Sequence, residues 1–310
     1  MTGKDFRQLI RERLNDPKDL EDKAPIINKK RKKKKRLIVF AVIIFALVLW
    51  TIWGNVTVGV TYYSITSDKL PEAFNHYKIA VVSDLHNAEF GKGNGVIIKK
   101  IRKEQPDIIA ITGDLVDSNR TDIDIAIKLI NKLMKIAPCY YVTGNHEAWI
   151  GTQYQELEEK LMSEGVIILH DSVDLLHKNG DTVQIAGLDD PDFTDRDTAI
   201  QEDMLRIKLQ QMELADEYCI LLSHRPETFK AYVDEDIDLV LSGHAHGGQF
   251  RIPFIGGLVA PNQGLFPKYD AGEYSENNTT MIVSRGIGNS IIPVRFNNRP
   301  EIVIVELISA

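Results

Sequence analysis

Five apolar runs in this chain of 310 residues each break off into a short block of Asp, His, Asn and Gly. Ile79–Val82 leads into Asp84-Leu85-His86, Ile108–Ile111 into Gly113-Asp114, and Tyr140–Val142 into Gly144-Asn145-His146-Glu147. Ile220–Leu222 leads into Ser223-His224, and Leu239–Leu241 into Gly243-His244-Ala245-His246-Gly247-Gly248. Five of the eight histidines fall in these blocks, so the imidazoles are concentrated where the runs end. Short apolar runs bounded by glycine read as buried strands. A fold made from them delivers several strand ends to one sheet edge, the place where open α/β sheets bind ligands.

From Val56 onward, strand patterns alternate with helical ones, which is α/β organisation. Strands are expected near 57–65, 77–83, 107–112, 139–143, 166–170, 182–187, 217–222, 238–242, 249–252, 280–284 and 301–307. Helices are expected over 93–104, 121–136, 152–163, 197–213 and 226–233. No repeat or low-complexity linker divides this body, so residues 55–310 read as one domain. Asp189–Asp197 and Pro253–Tyr274 read as loops that follow strands, overhang the ligand edge and contribute to substrate selection.

The N-terminal part follows different rules. Leu37–Trp53 is apolar throughout except for Thr51, and Trp50 and Trp53 stand at its far end, where interfacial belts favour aromatics. Eight cations, Lys29 to Arg36, precede it. By the positive-inside rule that block stays cytoplasmic. Residues 1–36 thus read as a cytoplasmic basic tail, 37–54 as a transmembrane signal anchor, and the remainder as lying on the outer side of the cell membrane, single-pass. A cleaved signal peptide and a buried core helix are the competing readings. The first lacks a small-x-small cleavage site, and eight adjacent cations do not flank a core helix. Phe6, Leu9, Ile10 and Leu14 share one face at helical spacing, which fits either a short amphipathic helix at anionic headgroups or a solvated tail.

Charge divides the same way. The net charge is −7, yet residues 1–36 hold 14 Lys and Arg against 6 Asp and Glu, so the rest of the chain carries −15. A body that acidic offers no footprint for nucleic acid. A phosphate substrate would need local positive charge, such as bound cations. Cys139 and Cys219 lie inside apolar strands at no redox or zinc-finger spacing, so they read as buried thiols, with a bridge between neighbouring strands as the alternative.

The blocks can supply those cations. Residues two apart on a strand point to the same face, so Asp84 and His86 can chelate one ion. Asp114 has two carboxylate oxygens and can bridge two ions about 3.5–4 Å apart, the separation of two-metal hydrolases. His244 and His246 repeat the alternation with imidazoles, His224 comes from another strand, and Asn145 offers a neutral amide oxygen. Two divalent ions, two aspartates and a bridging hydroxide leave about +1 at the site. Imidazole and oxygen donors without thiolate suit Mn, Fe, Zn, Co or Ni better than Ca. His76, His170 and His177 match no pattern and read as structural or surface residues.

The order D-x-H, G-D, G-N-H-E, H, G-H-x-H resembles the calcineurin-like metallophosphoesterase superfamily over roughly residues 55–308. Gly247-Gly248-Gln249, Gly187-Leu188-Asp189-Asp190, Ser284 to Asn289 and Arg299-Pro300-Glu301-Ile302 are similar to a bacterial, membrane-associated phosphodiesterase branch of it. The resemblance implies a four-layer αββα sandwich of two mixed sheets. It implies that Asp84, His86, Asp114 and His246 hold one metal, that Asp114, Asn145, His224 and His244 hold the other, and that His146 faces the scissile phosphate as the catalytic residue. Glu147 would orient His146 or form a structural salt bridge; Arg225 would touch a phosphate oxygen or form an ion pair. The implied activity is hydrolysis of a phosphoester, foremost a phosphodiester, by a hydroxide bridging two metal ions. A pyrophosphohydrolase acting on a nucleotide-linked lipid or envelope precursor is the alternative. A metal-binding adaptor without catalysis is the rival from another class.

Overall fold

The apolar run Leu37–Trp53 fills most of the C-terminal half of a single helix, α1 (Pro17–Val56). The structure, a computed structural model, describes residues 5, 7, 8, 11, 12, 17–289 and 292–310, with 17–30 as backbone alone. The stripe Phe6, Leu9, Ile10 and Leu14 lies outside the described residues. Two compact units, Met1–Ile52 and Trp53–Ala310, divide the chain. Within α1, Arg31–Val56 is long and apolar enough to cross a membrane, and none of its most apolar window is buried. At 1.5 Å per residue those 26 residues span about 39 Å, more than the ~30 Å of a hydrocarbon core. A helical segment bare and apolar all round fits a membrane span.

The second unit opens with β1 (Gly59–Ser67), β2 (Tyr77–Val82), α2 (Gly95–Glu104), β3 (Ile108–Thr112), α3 (Ile123–Leu133) and β4 (Cys139–Val142). There follow α4 (Asn145–Trp149), α5 (Gln153–Ser163), β5 (Ile167–Ile168), β6 (Ser172–Lys178), β7 (Asp181–Gly187) and α6 (Thr198–Gln211). Next come β8 (Cys219–Leu222), α7 (Phe229–Asp234) and β9 (Leu239–Ser242), then the short strands β10 (Arg251–Ile252), β11 (Gly256–Gly257), β12 (Val259–Ala260) and β13 (Gly264–Leu265). The chain closes with β14 (Gly272–Glu276), β15 (Thr279–Val283) and β16 (Glu301–Ser309).

Strand alternation sorts these elements into four layers. On β2, Ala80 and Val82 pack with Ile97, Ile101, Leu129, Leu133 and Leu157, from helices covering the outer face of the first sheet. Ile79 and Val81 point the other way and meet Val183, Ile185, Ile220, Leu222, Leu239 and Leu241 of the second sheet. On that sheet, Leu221 and Val240 turn outward to Leu205, Leu209, Phe229 and Tyr232 of α6 and α7. Each sheet has six strands, in the orders β1-β16-β2-β3-β4-β5 and β14-β15-β9-β8-β7-β6. Both are mixed: β2, β3, β4 and β5 run parallel, as do β7, β8 and β9, while β16 is antiparallel to β2 and β6 to β7. This is the αββα sandwich of two mixed sheets.

Some expectations shift in detail. The extended segment begins at Gly59 because α1 runs on to Val56. The strand expected over 249–252 shrinks to Arg251–Ile252, and Pro253–Tyr274 folds partly into two small hairpins, β10–β11 and β12–β13. Strand β6 escapes the sequence pattern because it is an edge strand that buries only Leu176. Cys139 and Cys219 are free and buried, and burial pushes both thiols up to about 12.

Candidate metal centre

The parallel strands β2, β3 and β4 of one sheet and β8 and β9 of the other end at a common edge, where the donor blocks follow. The backbone there is contorted. Asp84, His86, Asp114, His244 and His246 all have left-handed φ, between 44° and 64°. Asp, Asn and His tolerate that region better than other residues with side chains, although it still costs energy. Two glycines make the approach possible. A Cβ on Gly144 would stand 2.3 Å from Asp114 Oδ1, and one on Gly243 would stand 1.9 Å from Ser83 Oγ.

Two groups of donors result. Asp84, His86, Asp114 and His246 offer atoms within 4.8 Å of one another, as do Asp114, His224 and His244, and every one of these residues is buried. In the first group His86 Nε2 is 3.2 Å from His246 Nε2 and 3.4 Å from Asp114 Oδ2, and Asp84 Oδ1 is 3.5 Å from His246 Nε2. In the second, His224 Nε2 is 3.2 Å from Asp114 Oδ2, 3.1 Å from Asn145 Oδ1 and 3.1 Å from His244 Nδ1. One oxygen, Asp114 Oδ2, therefore belongs to both. Its partner Oδ1 is occupied by the His146 N–H at 2.9 Å, which fixes the carboxylate.

Lone-pair counting tests whether these residues fit cations. His224 Nδ1 lies 2.7 Å from the Thr112 carbonyl and must donate to it, so in the neutral ring Nε2 carries only a lone pair. That lone pair faces a carboxylate oxygen and an amide oxygen, two acceptors with which only a positive charge between them is compatible. Burial opposes a proton on His224, but the Asp114 carboxylate outweighs it and holds the ring up at about 10. Burial likewise raises Asp84, to about 6. A proton is the weaker substitute for a metal here, and the donor set fits a pair of cations.

Two buried arginines stand behind the paired histidines. Arg225 Nη1 is 3.3 Å from His244 Nε2, and Arg295 Nη2 is 3.3 Å from His246 Nδ1. Burial, first, and then neighbouring positive charge keep both rings well below the ordinary imidazole range. Arg225 is held by Asp190, through Nε at 2.6 Å and Nη2 at 2.8 Å, and by Asp192 at 3.0 Å. Of the two roles open to it in the sequence, the structure gives it the ion pair. The Asp189–Asp197 segment serves in part as the anchor of that pair. Arg295 has no sequence signal at all: its partners are the Arg285 and Gly288 carbonyls and the Asn289 side chain.

Glu147 does neither thing proposed for it. Its carboxylate accepts N–H bonds from Asp114 and Leu115 at 2.8 Å, Gly144 at 2.7 Å and Val116 at 3.4 Å, and so shapes the turn that carries Asp114. His146 takes its orientation from the Ser118 N–H, which donates to Nδ1 at 3.0 Å and leaves the proton of the neutral ring on Nε2. Its ring lies between His86, 4.5 Å away edge-on, and Trp149, 4.8 Å away. Beside His86 opens a cavity of about 430 Å³ lined by Asn87, Ala88, Asp117, Arg120, Asp122, Ile125, Asn289 and Pro293. His76, His170 and His177 pair instead with Glu306, with Asp189 and Glu158, and with Thr182.

Comparison with known proteins covers the stretch of chain that carries the five blocks. The family model for calcineurin-like phosphoesterases matches residues 77–248, a range containing all five blocks. An uncharacterized metallophosphoesterase of Campylobacter jejuni is 31% identical over 287 residues, covering 90% of this chain and 73% of that protein. A phosphodiesterase of Escherichia coli is 27% identical over 236 residues, covering 75% of this chain and 82% of its own. A transmembrane protein with a metallophosphoesterase domain from Danio rerio is 29% identical over 260 residues, covering 78% of this chain and 56% of its own.

Proposed function

Because the chain belongs to the calcineurin-like phosphoesterase family, and is thereby a metal-dependent phosphoric ester hydrolase, we propose that it cleaves phosphodiesters at a pair of divalent cations. Asp84, His86, Asp114 and His246 would hold one cation, and Asp114, Asn145, His224 and His244 the other. The observation that supports this most is Asp114 Oδ2, which lies 3.4 Å from His86 and 3.2 Å from His224 while its other oxygen is pinned. When bound, the cations supply the Lewis acidity that polarises a phosphoryl group and makes a nucleophile of water at neutral pH.

The chain's own residues do the rest. With Nδ1 engaged by Ser118, His146 presents an Nε2 proton, which can bond a phosphoryl oxygen or pass to the leaving oxygen. Trp149 backs that ring and holds it toward His86. Burial keeps His244 and His246 unprotonated, and Arg225 and Arg295 stand 3.3 Å behind their rings. Substrate would reach the centre through the cavity beside His86, whose polar side chains Asn87, Asp117, Arg120 and Asn289 suit a diester with a polar leaving group. The second reading, a pyrophosphohydrolase of nucleotide-linked lipids, meets no apolar groove among those lining residues. The same proposal places residues 1–36 in the cytoplasm, 37–54 in the bilayer and 55–310 on the outer side, supported by the cationic block Lys29–Arg36 that precedes the apolar run within α1.

Metal content by mass spectrometry, with bis-p-nitrophenyl phosphate and p-nitrophenyl phosphate as substrates, tests the assignment. Asp114→Ala should lose metal and turnover together. His146→Ala should keep its metal and lose about 100- to 10,000-fold in turnover. Wild-type rates in both variants would overturn the proposal, and preference for the monoester would overturn the diesterase part of it.

A further inference from the structure

We infer that the bilayer that receives α1 also receives the tip of the hairpin β10–β11 and the open end of the hairpin β12–β13, both of which follow His246, so that the domain docks on the membrane by its metal edge. Phe254 is 109% exposed, Leu265 70%, Ile255 65% and Phe266 60%, values at the scale of the lipid-facing residues of α1 itself. Phe254 and Phe266 also have left-handed φ, 69° and 54°, a backbone that bulky side chains avoid. Exposing a phenyl ring on such a backbone brings folding no benefit. It serves a partner that takes up apolar groups.

Chain connectivity identifies the partner. Residues Trp53–Val56 are the last of α1, where its apolar run gives out. Asn55 Nδ2 donates to the Arg295 carbonyl at 2.7 Å, and its Oδ1 accepts the Arg295 N–H at 2.9 Å. The next residue, Phe296, bridges Phe250, and its carbonyl accepts the Arg251 N–H at 3.0 Å. Phe254 is three residues beyond, at most about 10 Å of chain. The second hairpin is fastened to the first, because Leu258 N–H donates to the Phe250 carbonyl and Phe266 N–H to the Leu258 carbonyl. Ile292 and Val294, also exposed, flank Pro293 at the rim of the cavity beside His86, and Gln249 Nε2 donates to both their carbonyls at 2.8 Å. One set of bonds thus ties the end of α1 to the exposed apolar residues of both hairpins and to the mouth of the cavity.

The inference rests on the membrane reading of α1 and is independent of the substrate. Its test uses the full chain reconstituted in phosphatidylethanolamine–phosphatidylglycerol vesicles, with single cysteines at Phe254→Cys, Phe266→Cys and the control Asp216→Cys carrying an environment-sensitive fluorophore. Cys139 and Cys219 are buried and stay unlabelled. Asp216 precedes β8, at the sheet edge opposite the metal. Labels at 254 and 266 should shift to the blue and lose most of their emission to doxyl lipids, shallow doxyls quenching more than deep ones, as expected for insertion about 5–10 Å into the headgroup boundary. The label at 216 should remain water-like. Blue-shifted but unquenched emission would put a protein partner there, and water-like emission would put solvent there; either overturns the inference. Vesicle flotation separates the two readings: flotation without quenching leaves the anchoring of α1 standing, and loss of flotation removes both.

Discussion

The two sheets contribute unequally to the centre. The first supplies both carboxylates, the amide and two imidazoles, through Asp84, His86, Asp114, Asn145 and His146; the second supplies only imidazoles, His224, His244 and His246. Anionic charge therefore sits on one side of the sandwich and neutral donors on the other. Neither sheet can complete a cation's shell alone, so the packing of Ile79 and Val81 against Ile220 and Leu239 is also what assembles the site. Each group still leans toward one sheet: three of the four residues around His86 come from the first, and His224 and His244 both come from the second.

That asymmetry can be broken most sharply at the imidazoles. His86→Ala and His224→Ala should each lose one cation and retain the other, with turnover down about 100- to 1,000-fold in both. Mass spectrometry counts the metal. If either variant loses both ions, the two groups are one indivisible unit and the division between sheets has no chemical meaning.

A smaller effect isolates the first sheet. Glu147 accepts N–H bonds only from residues that follow β3 and β4, so Glu147→Gln sets an amide NH₂ against some of those donors. It should cost about 3 kcal/mol of stability, read from denaturant unfolding. Because the turn under Asp114 is the part disturbed, metal affinity should fall as well, while the fold of the second sheet persists.

The smallest effect lies at the crossover between the sheets. His170 follows β5 of the first sheet and precedes β6 of the second, and it joins Glu158 of α5 to Asp189 after β7. Its hydrogen bond to Asp189 raises it from 6.5 to about 8, against the opposing pull of burial. A raised folded-state value means that the protonated ring stabilises the fold fully below pH 6.5, and that this stabilisation is lost as pH rises through about 8. The ring is 41% exposed, so screening reduces the contribution to about 1 kcal/mol. His170→Gln should be less stable than wild type at pH 6 and equal to it at pH 9; parallel curves would mean that the crossover carries no charge.

The ligand set was legible because each donor stands at the end of a short apolar strand, where glycine and histidine have few packing reasons to occur together. The layers were legible from the family resemblance more than from periodicity. What escaped was set by distant backbone. Glu147 binds N–H groups some thirty positions away, Arg295 binds carbonyls, and no spacing records either. Strand β6 and the hairpins near Phe254 bury too little to leave a periodic trace.

The left-handed φ at Asp84, His86, Asp114, His244 and His246 has a consequence for how such a centre can change. Few side chains tolerate that conformation, and Asp, Asn and His are foremost among them. Exchanging a donor for glutamate or a thiolate would mean rebuilding the loop as well as the bond. The alphabet available at those five positions is nearly closed, and drift toward a different ion must enter from behind, through Arg225, Arg295 and the carbonyls that hold them.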